Sequence, residues 1–207
     1  MELENIELSK QTIKNSFVEN KNIFLIFIAL IISLAAAPEL IKNNLFNSFF
    51  EIFADSSIMI RQSGNFIFVF LFSFVVYLLP IAFIYLSGLS VSGQTFAVLL
   101  TFLTGLISGG FSAFFYSVFS NQGLIICLSL FYLPMMISLI AVVLAAREAF
   151  VFSNMLVRAF KSTSQPMNFS ADFKVYCLRF VFIICIIAVA SVFSAILSFA
   201  FFDMFTY

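Results

Sequence analysis

Five oily tracts alternate with short polar interruptions along this chain. Apolar residues run with little relief over 22–41, 66–86, 94–119, 124–146 and 175–202. A hydrocarbon core about 30 Å thick needs about 20 helical residues at 1.5 Å each, and every tract meets or approaches that length. The runs are continuous rather than alternating with period two, so helices and not barrel strands are expected. Gly- and Ser-rich breakers separate them at 87–93 and 120–123, and a third, 162–166, ends on Pro166. Pro38 and Glu39 put the last turn of the first tract at headgroup level, and Pro80 should kink the second unless neighbouring groups satisfy the carbonyl it frees.

Two segments outside the tracts are too apolar for free loops. Within 42–64, Leu45, Phe46, Phe49, Phe50, Ile52 and Phe53 recur at near-helical spacing among Asn44, Asn47, Ser48, Glu51 and Asp55, the pattern of an interfacial helix. In the 147–174 segment, Phe152, Met155, Leu156, Ala159 and Phe160 are set against Asn154, Arg158 and Lys161. This stretch either prolongs the fourth helix or lies on the membrane surface. Asp172, just before the last tract, suits a helix N-terminus, where its charge complements the dipole and its oxygen can cap free amides.

Composition sharpens the membrane reading. Of 207 residues 63% are apolar and 10% charged, against about 25% charged in a soluble domain. The 85 residues between Arg61 and Arg147 contain no Asp, Glu, Lys or Arg, nor do the 23 between Arg179 and Asp203. Orientation follows from Lys and Arg in the short loops. With the N-terminus inside, Lys10, Lys14, Lys21, Arg147, Arg158, Lys161 and Lys174 fall inside and only Lys42 and Arg61 outside. The expected fold is therefore an all-α polytopic membrane protein, one integral domain over 1–207. It has five transmembrane helices, N-in and C-out, with the amphipathic 42–64 segment outside and 147–174 inside. Ala35-Ala36-Ala37 has the form of a signal cleavage site, but Glu2, Glu4, Glu7 and Glu19 outweigh Lys10 and Lys14 before the first tract, and Pro38 would follow the cut. A retained anchor is expected.

Small residues form two stripes. Ala97, Thr101, Gly105, Gly109, Ala113 and Ser117 recur every four residues, with Gly105 and Gly109 making a G-x-x-x-G. Lipid supplies little hydrophobic drive between helices, so close backbone approach dominates their association. This stripe is expected at the centre of the bundle or at a homo-oligomer seam. The last tract offers Ala190, Ser191, Ser194, Ala195 and Ser198 in reply, and the third and fifth spans are expected to pack together.

Candidate chemistry is sparse. The chain has no His, net charge zero, and no ionisable group near the middle of any tract. A basic nucleic-acid face, His-based acid–base catalysis and a zinc site are disfavoured, as is a self-sufficient ion-coupled carrier. No phosphate-binding glycine loop occurs, so no nucleotide or other cofactor is expected. Cys127, Cys177 and Cys185 lie in apolar stretches and are expected to be buried packing thiols. Glu148 beside Arg147 is expected to mark the membrane border rather than an ion pair, since adjacent helical residues do not face each other.

The order of elements resembles the stage II sporulation protein M family. The matches are Phe119-Ser120-Asn121-Gln122-Gly123 before the fourth span, Leu133-Pro134 inside it, and Phe152-Ser153 with Met155 and Arg158 after it. Where the family continues the Leu-Pro step with polar residues, this chain has Met135 and Met136. The resemblance implies a non-enzymatic scaffold in the cytoplasmic membrane of a bacterium, at the sporulation septum. Such a scaffold recruits a peptidoglycan amidase and a lytic transglycosylase during engulfment. Contact residues would then be Phe49, Phe50 and Phe53 outside and Gly105, Gly109, Ala113, Ser191 and Ala195 within the bilayer. The alternative is a permease subunit of an ATPase-driven transporter, with 148–161 as its coupling helix.

Overall fold

A computed structural model describes residues 23–39, 47–62, 64–161 and 169–200, with backbone alone for 119–129. Every element among them is helical. The helices are α1 (Ile23–Glu39), α2 (Asn47–Gln62), α3 (Phe66–Gly88), α4 (Gly93–Ile126), α5 (Leu133–Lys161) and α6 (Phe169–Ala200), with a π-helical turn, Cys127–Tyr132, joining α4 to α5. Four helices, drawn from α3 to α6, are long and apolar enough to cross a membrane, and α1 is a shorter apolar helix of the same character. Parts of the expected segments lie outside the described residues: Leu45 and Phe46 of the amphipathic stretch, the 162–166 breaker, and the ends of the first and last tracts.

Local chemistry sets the boundaries. Gly64 adopts a left-handed φ of 65° and lets the chain reverse after α2, and the Asn65 side chain caps α3 by accepting from the Ile67 amide at 3.0 Å. Pro80 sits inside α3 without ending it. Asp172 occupies the first turn of α6, as the dipole argument requires. α5 prolongs the fourth tract to Lys161, which settles the two readings of that segment in favour of a continuous helix.

The breaker at 120–123 is a correction. Helical hydrogen bonding runs through it, yet the axis reverses: Phe115 and Phe131 meet with ring centroids 5.3 Å apart. Sixteen residues of straight helix would separate them by about 24 Å. Part of the distortion is the π turn, where the ladder has to break because Pro134 has no N–H for the carbonyl of Leu130.

Packing forms two large clusters, with a small third one of Leu30, Met135 and Leu139. At the end where α3 hands over to α4, Ala97, Ala141, Ala145, Ala146 and Ala149 let the helices close on Ile84, Phe152, Tyr176 and Phe180. At the opposite end, Phe111, Phe114, Phe115 and Phe131 pack on Phe50 and Ala54 of α2. α6 lies against α3 and α5 rather than on α4, so the expected pairing of the third and fifth spans is not the one made.

Candidate functional site

The α4 stripe meets α1. Buried Ile26, Leu30, Ser33 and Ala37 fall on one face of α1 in steps of four, three and four, and that face carries small groups where α4 carries glycine. A Cβ on Gly105 would collide with the Ser33 hydroxyl, and one on Gly109 would lie 2.8 Å from the Ala37 Cβ and 3.0 Å from the Leu34 carbonyl. The contacts rise together along both helices, so α1 and α4 run parallel. The close approach expected of Gly105 and Gly109 is thus made within the chain. Ala113 is half-buried beside the Phe cluster. Ser191 and Ala195 are fully buried on α6, the helix that packs against α3 and α5.

α2 docks by one face as well. Phe50, Ala54, Ser57 and Arg61 are buried at the same four, three and four spacing, while Glu51, Ile52, Asp55 and Met59 look outward. Glycine at position 110 makes the room for Phe50, whose ring a Cβ there would strike. This corrects the expected outer contacts: Phe50 is interior, Phe53 is half-buried against Phe111 with ring centroids 5.5 Å apart, and of the three only Phe49 is exposed.

Arg61, expected only as an outer loop charge, is an interior residue. It is 4% exposed. Its Nη2 donates to the Ser194 Oγ at 2.9 Å, its Nη1 to the Ser194 carbonyl at 3.4 Å and to the Ser198 hydroxyl. The Ser194 hydroxyl also meets the Ser73 hydroxyl at 2.9 Å, tying α3 to α6, and the guanidinium lies 4.2 Å from the centre of the Phe131 ring. Burial pushes the Arg61 pKa down to about 10, which leaves it protonated at neutral pH. The ion pairs of Glu148 with Arg147 and Arg179 do not involve Arg61. The 3.7 Å approach of Arg147 to Glu148 shows that adjacent charges do meet here, although Arg179 of α6 is the closer partner.

Beneath Arg61 is a cavity of about 410 Å³ between α2, α3, α4 and the start of α5. Phe53, Phe72, Val76, Phe111 and Met135 wall it, with Ser57, Ser73, Thr104, Ser108 and Ser138 as its small polar groups. Phe49, Leu79 and Ile107 line it too and are each about half exposed, so they form its rim. The one signal that could have revealed the site is the Phe50, Ala54, Ser57, Arg61 spacing, which puts the cation on the apolar face of α2.

Cys177 is half-buried with its sulfur 3.4 Å from the Tyr85 hydroxyl. Cys185 is exposed on the bundle surface and is not the buried thiol expected. Neither a family profile, nor a curated protein, nor a solved structure matches this chain.

Proposed function

We propose that the chain is a non-enzymatic scaffold of the bacterial cytoplasmic membrane, with five passes, N-in and C-out, that holds α2 on its outer face as a docking edge for peptidoglycan hydrolases. The observation that carries the reading is the clamping of α2. Its inner face is locked by the Phe cluster and Arg61, so that Glu51, Ile52, Asp55 and Met59 are presented on a fixed surface. Preorganised surfaces bind with less ordering cost than mobile ones. The parallel course of α1 beside α4 supports the fifth pass, and the seven-to-two distribution of Lys and Arg supports the orientation. By its resemblance to the sporulation protein M family, the partners are an amidase and a lytic transglycosylase at the sporulation septum.

Affinity purification from membranes in mild detergent, followed by mass spectrometry, tests this. The two hydrolases should co-purify, and Ile52→Glu with Met59→Glu should release them while leaving the bundle folded. Recovery of a cytosolic ATPase in their place would replace the scaffold with the permease reading. A reporter fused after Tyr207 should be active only outside the cytoplasm.

A further inference from the structure

Arg61 is a buried charge balanced by neutral groups. Two serine hydroxyls, one carbonyl and an aromatic face solvate it, and no carboxylate among the described residues pairs with it. A buried ion without a counter-ion is expensive unless something else neutralises it. The serine bonds use Nη1 and one proton of Nη2. The guanidinium also lines the cavity below it, and its planar fork of donors is the group that suits an oxyanion.

The surroundings say what must accompany that anion. The cavity under Arg61 is walled mainly by aromatic and aliphatic side chains and, among the described residues, offers no second cation. A free inorganic anion would shed its water against Phe and Met and regain little, so the ligand has to bring an apolar body. The volume, about 410 Å³, lies within the range of about 300–1,000 Å³ typical of ligand sites. Leu79 and Ile107, at the rim, stand on helices long and apolar enough to cross a membrane, so the opening faces lipid. Ser73, which marks the level of the guanidinium through Ser194, is about 10 Å along α3 from its start. Only a compact headgroup can be drawn that far in.

We propose that this cavity binds an anionic amphiphile, a compact oxyanion on a hydrocarbon chain, with the headgroup on Arg61 and the chain leaving past Leu79 and Ile107 into the bilayer. The proposal is independent of the scaffold reading. The headgroup chemistry is shared by a fatty acid and by phosphatidic acid, and the test separates them. The full chain, reconstituted in phosphatidylcholine nanodiscs, is titrated with oleate or with dioleoyl phosphatidic acid, and retained ligand is read by native mass spectrometry.

One of the two should be retained at one per chain, oleate assigning a carboxylate headgroup and phosphatidic acid a phosphate one. Arg61→Met should weaken it at least about tenfold, the equivalent of one charge-assisted hydrogen bond. Ile107→Trp, which leaves Arg61 untouched and fills the rim from a lipid-facing position, should weaken it comparably. Retention of neither amphiphile, equal retention of added phosphatidylcholine, binding of inorganic phosphate alone, or unchanged binding by Ile107→Trp would overturn the proposal.

Discussion

The two ends of the bundle use aromatic residues in opposite ways. Around Tyr176 the rings carry polar handles and every handle is used: its hydroxyl donates to the Tyr85 carbonyl at 2.8 Å, and its ring stacks on Phe152 with centroids 4.4 Å apart. Alanines on α5 bring the backbones close there, and the Ser153 hydroxyl donates to the Ser90 carbonyl at 2.9 Å, holding the turn between α3 and α4. Around Arg61 the rings are mostly phenylalanines, some meeting edge-on, such as Phe111 and Phe131 at 5.1 Å, and they leave a cavity with a cation above it. Small residues and satisfied hydroxyls close one end, and bulky rings, nearly all phenylalanines with Tyr77 among them, leave the other unfilled. The lesson is that a bundle in lipid can be stapled at one end while its other end keeps room for a ligand.

Substitutions can break that contrast, and the largest effect lies on the seam both ends share. Gly109→Leu pushes a side chain into the Leu34 carbonyl and Ala37 of α1, where backbone must move. The cost should be about 3 kcal/mol or more, measured by reversible unfolding in detergent, with α1 becoming accessible to protease.

A smaller effect tests the two ends directly. Gly88→Ala at the closed end places a Cβ 2.9 Å from the Ala149 backbone and into the Tyr176 hydroxyl, whereas Gly110→Ala at the open end meets only the tip of the Phe50 ring. The first should cost about 2 kcal/mol and the second less than about 1 kcal/mol, because a ring tip can shift and a packed backbone cannot. Equal costs would remove the distinction between the ends. Tyr176→Phe should cost about 1 kcal/mol by leaving the Tyr85 carbonyl without its donor. Smallest is Arg179→Gln. Arg179 is half exposed and Glu148 keeps Arg147 as a second partner, so losing the pair should change stability by under about 1 kcal/mol, with the difference shrinking further at high salt.

Much of this architecture is legible along the chain. The length and continuity of the oily tracts predict α3 to α6, and Asp172 falls in the first turn of α6 as charge complementarity requires. The G-x-x-x-G stripe correctly marks a close approach, but small residues state only that a neighbour comes near and not which one. The neighbour is α1, where Ala29, Ser33 and Ala37 also recur every four residues. The amphipathic pattern places Phe50 outside because a helix taken in isolation gives no sign of which core it will meet. Its place is decided by Gly110, sixty positions away, which leaves space for the ring.

Arg61 divides the two kinds of information most clearly. That it shares a helix face with Phe50, Ala54 and Ser57 follows from four, three and four spacing and needs nothing beyond the sequence. That this face is buried, and that Ser194 and Ser198 receive the guanidinium, depends on α6 folding back beside α3 across more than 130 positions of chain. Period and composition are local, so they determine helices, their oily faces and their fit to lipid. The pairing of faces is set by shape and by satisfaction of buried polar groups between segments distant in sequence, and only the folded bundle brings those together.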